Sequence, residues 1–124
     1  MLFRSRYIYD FALPAEKPGR TASAHVAAGL DFDIWHGDLV SGETLHVARL
    51  RAGKGQRGQM HSHPNEQFLF VVEGSVSAEI GGCTHMVGRH CVLHVPPDMA
   101  HCIGTADQDA LVIVLQDTRH PFAA

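Results

Sequence analysis

The chain has 124 residues, 45% of them apolar and 19% charged, which suits one buried core and leaves little for a second. Thirteen acidic residues against ten Lys and Arg give a formal charge of −3, a poor match for a polyanionic phosphate backbone, so nucleic acid is not an expected partner. This composition excludes a disordered tail, and its outlying feature is ten histidines with no low-complexity tract to hold them.

Met1 to Leu13 interleaves Arg4, Arg6 and Asp10 with two tyrosines, which is not the basic start and apolar run of an export signal. The longest apolar run, Ala110 to Leu115, is far short of the roughly 18 residues of a membrane-spanning helix, so no membrane partner is expected. Cys83, Cys91 and Cys102 are odd in number and lack a C-x-x-C spacing. They read as reduced thiols, buried as small hydrophobes, in a cytoplasmic protein.

Residues 1–40 read as an N-terminal arm or edge strands of the same domain. Pro14, Pro18 and Gly19 interrupt them, and strands are expected at Ala24 to Ala28 and Phe32 to His36. Such an arm covers a sheet edge or pairs with a second subunit, and a homodimer is expected. Residues 41–117 carry the clearest strands. Thr44 to Leu50 lies between Ser41-Gly42 and Ala52-Gly53-Lys54-Gly55. Gln67 to Val72 and Ser75 to Ile80 read as a hairpin closed by Glu73-Gly74, and strands follow at Cys91 to Val95 and Leu111 to Leu115. Residues 118–124 read as a loop-like tail. Helical periodicity is nearly absent, so an all-β sandwich or barrel of seven or eight short strands is expected.

His61-Ser62-His63 puts two imidazoles on one face of an extended segment, as chelation of one ion requires. Alone this carries little, because chance supplies about 0.8 such pairs in a chain this rich in histidine. Further donors join it. Gln67 starts the next strand after a short Pro64-Asn65-Glu66 turn and brings an amide oxygen, and His101 follows the turn-like stretch Pro96-Pro97-Asp98-Met99-Ala100. A one-residue register shift would present Glu66 in place of Gln67, though strand alternation favours Gln67.

With these residues the sequence resembles a small single-domain cupin. The first cupin motif, G-x5-H-x-H-x3,4-E-x6-G, is met by Gly55, His61, His63, Gln67 and Gly74, with Gln67 in place of the usual glutamate. The core of the second, G-x5-P-x-G-x2-H-x3-N, is met by Pro96 and His101. Asp98 stands where it has glycine, Thr105 where it has asparagine, and Gly88 lies two residues too far upstream. The resemblance implies a single-domain jelly-roll β-barrel of six to eight strands. Inside it His61, His63, Gln67 and His101 would bind one divalent transition metal, Fe, Ni, Mn, Co or Zn. It also implies a small-molecule substrate or ligand. The Gln67 variant is similar to quercetinase-like and polyketide-cyclase-like members, so dioxygenase and Lewis-acid cyclase, isomerase or lyase chemistry are both open, as is a non-catalytic binding or sensing role.

Glu66 and His94 are the candidate catalytic bases. His46 and His94 lie on expected strands and either face the cavity or sit as hydrogen-bonded surface imidazoles. His25, His36, His85, His90 and His120 have no partner spacing. Arg49 and Arg51 share one strand face, as a carboxylate clamp or a solvated surface. Alternation puts Leu69 and Val71 beside Gln67 along an apolar cavity, and turns Phe68, Phe70 and Val72 toward a second sheet or another subunit.

Overall fold

A computed structural model describes residues 7–12 and 24–123 of the chain. The proline-interrupted stretch from Pro14 to Gly19 falls outside them. The described residues form nine strands and no helix: β1 His25–Phe32, β2 Trp35–Ser41, β3 Leu45–Ala52, β4 Gln67–Glu73, β5 Val76–Ile80, β6 Cys83–Val87, β7 Val92–Val95, β8 His101–Gly104 and β9 Ala110–Asp117. None of the described segments is a helix long and apolar enough to cross a membrane. Two antiparallel sheets face each other, one ordered β1-β2-β3-β9-β4-β7 and the other β6-β5-β8, in the all-β jelly-roll arrangement that the sequence implies.

Period-two alternation builds the core. β3 buries His46, Ala48, Leu50 and Ala52 and turns Leu45, Val47, Arg49 and Arg51 outward; β4 buries Gln67, Leu69 and Val71. Val112 and Val114 of β9 join them, and Val76, Ala78, Val87 and Ile103 close the core from the smaller sheet. Trp35 spans the gap, its Nε1–H donating to the Ile103 carbonyl at 3.3 Å. Arg49 and Arg51 are therefore on the solvated face.

Three local expectations change. Gln67–Glu73 and Val76–Ile80 are strands, but they do not pair. β4 bonds to β7 and β9, β5 to β6 and β8, and Gly74 carries the chain from one sheet to the other. Gly74 has φ +76°, and a Cβ there would sit 1.9 Å from the Asp109 carbonyl oxygen, so only glycine fits this corner. The expected strand from Phe32 to His36 is instead a hairpin turn: Phe32 pairs with Trp35 around Asp33, which has φ 59°. β6 has no counterpart in the reading because four of its five residues are exposed, leaving no alternation to see. The thiols also divide: Cys102 is buried, whereas Cys83 and Cys91 are exposed.

Candidate metal centre

His61 ends the irregular stretch before the Pro64 turn, and His101 opens β8. The two residues exchange both main-chain hydrogen bonds, His61 N–H to the His101 carbonyl at 2.9 Å and His101 N–H to the His61 carbonyl at 2.8 Å. An antiparallel bridge of this kind puts both side chains on one side of the sheet. His63 reaches the same point from the following turn, which is pinned by the Asp98 N–H donating to the His63 carbonyl at 2.9 Å. The three imidazoles stand with ring centroids 4.4 to 5.6 Å apart, and one ring nitrogen from each lies within 4.8 Å of the others.

Each ring is fixed by its other nitrogen. Nδ1 of His61 bonds the Gln59 carbonyl at 2.8 Å, Nδ1 of His101 the Met99 carbonyl at 2.8 Å, and Nδ1 of His63 the Asn65 carbonyl at 3.0 Å. A carbonyl accepts only, so Nδ1 carries the hydrogen and Nε2 holds a free lone pair. All three Nε2 atoms are buried and have no hydrogen-bond partner. Burial holds the His63 and His101 imidazoles below their ordinary pKa, and the neighbouring His61 pushes the same way, so both rest neutral. Three neutral, buried, unpartnered lone pairs aimed at one point are a donor set that fits a divalent transition metal.

Gln67 is 1% exposed and Glu66 is exposed, so the register presents the amide inward. Gln67 lies beside His63, and its amide slightly favours the protonated imidazole against the larger effect of burial. Its Oε1 accepts from Gln116 Nε2 at 2.6 Å. The structure does not bring Glu66 and His94 to the cluster. They lie on the outer face of the large sheet, both about half exposed, with His94 Nε2 2.8 Å from Glu66 Oε2 and the imidazole stacked on Phe68.

Two polar residues without an expected role, Ser41 and Gln116, complete the inner face with His46 and Gln67. Ser41, His46, Gln116 and Gln67 lie side by side in register across β2, β3, β9 and β4. His46 Nδ1 is 2.6 Å from Ser41 Oγ, and His46 Nε2 is 3.1 Å from the His120 carbonyl. Of the two alternatives for His46 the structure takes the inward one, in alternation with Ala48 and Leu50, and alternation with Val112 and Val114 could have placed Gln116 inward too. Below this polar belt the barrel is nearly full. Trp35, Leu50, Leu69, Ile103, Val112 and Val114 leave a cavity of about 10 Å³ against Gln67, the space of about one water.

The departures from the second motif have local explanations. Asp98, in place of glycine, has φ 64°, and His90, six residues before Pro96, has φ 72°. Both positions keep the left-handed backbone for which glycine is the usual residue. Thr105, in place of asparagine, uses Oγ1 to accept from the Gln56 N–H at 3.0 Å and to donate to the Gly53 carbonyl at 2.5 Å, tying down the loop before His61.

Comparison with solved structures places these features among known folds. An RmlC-like cupin from Shewanella frigidimarina NCIMB 400 aligns with a TM-score of 0.68 at 17% identity, over 78% of this chain and 87% of that one. KdgF from Halomonas sp. aligns at 0.59 and 19% identity, over 82% and 84%. The DMSP lyase DddQ from Ruegeria pomeroyi DSS-3 aligns at 0.63 and 18% identity over 82% of this chain, which spans 50% of DddQ. At these identities the likeness is one of fold. The search of curated proteins finds no match. The family model for the cupin domain matches residues 48–116, more than half of the chain, and the chain belongs to that family.

Proposed function

We propose that the protein is a metal-dependent cupin enzyme acting on a small organic molecule. In this reading His61, His63 and His101 hold one divalent transition ion through Nε2, and Gln67 joins them through its amide oxygen. The observation that carries the reading is the set of three buried, unpartnered Nε2 atoms converging on one point. Such an ion, when bound, supplies Lewis acidity toward a substrate oxygen or a site for dioxygen. The chain's own residues do the rest. Carbonyl acceptors on Nδ1 keep the three rings in the ligating tautomer, and the apolar layer below Gln67 leaves space for about one water. At the mouth His46, Asn65 and Gln116 are held by the tail carbonyls of His120, Pro121 and Ala123.

With Glu66 and His94 on the outer face, the proton-handling group we assign to the cavity is His46. Its Nδ1 takes a hydrogen bond from the Ser41 hydroxyl, and its Nε2–H faces the tail carbonyl of His120. An imidazole on the inner face, two strands from Gln67 in register, suits lyase or isomerase chemistry, and the DMSP lyase DddQ shows that this fold hosts a lyase. The small cavity favours a second reading, a binding or sensing module that holds metal without turnover. Incubating metal-loaded protein with flavonols, diketones, thiols and small organic acids, followed by NMR under argon and under air, separates these. Metal-dependent conversion under argon supports the Lewis-acid enzyme, conversion only in air the dioxygenase, and none at all the binding module.

A homodimer and a cytoplasmic setting belong to the same proposal. The outer face of the large sheet carries an unbroken cross-strand row, Val26, Val40, Val47, Leu115, Phe68 and His94, flanked by Ile113, Phe70 and the exposed Val92. Six strands about 4.8 Å apart make a face of roughly 700 Å², close to the area one partner commits to a standard interface, and a second copy of the chain is the proposed occupant. Three free thiols support a reducing compartment.

A further inference from the structure

The described part of the C-terminal tail, Thr118 to Ala123, is a strap laid across the mouth of the barrel. Asn65, 1% exposed, donates Nδ2 to the Pro121 carbonyl at 3.1 Å and to the His120 carbonyl at 3.4 Å. His46 takes the His120 carbonyl from the other side. Phe122 lies edge-on to Phe32 at 5.0 Å and to His46 at 5.9 Å, and packs against the core. The strap ends on Gln116. The Ala123 N–H donates to Gln116 Oε1 at 3.0 Å, and Gln116 Nε2 donates to the Ala123 carbonyl.

This two-bond clamp fixes which way the Gln116 amide faces. Rotated by half a turn, it would set oxygen against the Ala123 carbonyl and NH2 against the Ala123 N–H. In the clamped orientation the second hydrogen of Nε2 points to Gln67 Oε1, 2.6 Å away. That oxygen keeps another lone pair. On its other side Gln67 meets the apolar cavity formed by Trp35, Leu50 and Leu69, which offers no polar partner.

We propose that Gln116 is the positioning residue for the Gln67 metal ligand, and that the strap, through Ala123, sets Gln116. The inference rests on the metal reading of His61, His63, Gln67 and His101. Holding Gln67 Oε1 by one hydrogen bond aims its remaining lone pair, as hydrogen bonds to a ligand generally do in metal sites. The ligand set and the closure of the barrel mouth are thereby coupled, and a displaced strap leaves Gln67 free to turn its amide.

Titration with Co(II) alone, read by its visible absorption spectrum and by affinity, tests this in the full chain. Gln116→Ala is expected to weaken Co(II) binding about 10-fold or more and to change the spectrum in the same way as Gln67→Ala. The double variant should lose little beyond either single one. Ala123→Pro removes the N–H that orients Gln116 and constrains backbone only at Phe122 and Ala123, outside the strands, and it is expected to shift affinity and spectrum in the same direction. If Gln116→Ala and Ala123→Pro lower the melting temperature yet keep wild-type Co(II) affinity and spectrum, Gln116 is only a tether and the proposal is overturned. Wild-type protein that takes up no Co(II) overturns the metal reading and this proposal with it.

Discussion

His61 and His101 face each other across a two-bond main-chain bridge, with ring centroids 4.4 Å apart and both Nε2 atoms unpartnered. A backbone pairing thus does the work of preorganising a ligand pair, and His63 joins it from a turn held by Asp98.

The same burial makes the metal-free fold sensitive to acid. His63 and His101 have folded pKa values below the ordinary 6.5, so below that pH the unfolded chain binds protons that the folded chain refuses. The stability in question is fully present above 6.5 and is lost as pH falls toward and through the lowered folded values. Thermal melts in chelator between pH 8 and pH 5 should show a fall that begins near 6.5, and His101→Asn should flatten it. A melting temperature independent of pH across that window would refute the assignment.

Thiol reactivity follows burial. Burial pushes the Cys102 thiol pKa up, and its Sγ–H donates to the Gly58 carbonyl at 2.9 Å, whereas Cys83 and Cys91 are exposed. A thiol-disulfide reagent should therefore modify two cysteines rapidly in native protein and the third only on unfolding. Rapid modification of all three would contradict the packing of β8.

Glycine positions separate strain from crowding. Gly74→Ala meets the Asp109 carbonyl oxygen at 1.9 Å as well as φ +76°, and Gly81→Ala meets only φ +62° with open space. Gly81→Ala should cost about 1 kcal/mol by denaturant unfolding, and Gly74→Ala several times that. Asp98→Gly, relieving φ 64° at the motif position, should stabilise by about 1 kcal/mol. Equal costs at Gly74 and Gly81 would mean that the sheet-to-sheet corner is not rigid.

The outer face gives a solution test. Val92→Glu puts a charge at an exposed position beside Phe70, on the opposite side of the sheet from the imidazoles. Sedimentation should show a dimer for the wild type and a monomer for the variant, with metal content unchanged. A monomeric wild type would remove the second copy from the account.

His61, His63 and Gln67 were legible in the sequence because a short turn holds them at spacings that local structure can close. His101 lies far along the chain and was legible only through the Pro96 turn and the second motif, since a long-range main-chain bridge brings it to His61. The all-β class was legible from alternation. The hairpin between β4 and β5 was misread because a turn after alternating residues looks alike whether the strands pair or diverge into facing sheets. Only the contact of Gly74 with Asp109, far along the chain, decides between them. Gln116 escaped notice for the same reason, since its role depends on the β4–β9 register that sets it opposite Gln67. Glu66 and His94 drew attention as titratable groups near the motif, but strand alternation turned them outward.

Metal content is the most direct measurement of the central claim. Tag-free wild-type protein, analysed by inductively coupled plasma mass spectrometry after loading and desalting, should carry one divalent transition ion per chain. His63→Ala and His101→Ala should carry almost none, while their melting temperatures in chelator stay close to the chelated wild type. A folded wild type without stoichiometric metal, or variants that retain it, would contradict the assignment of the three imidazoles.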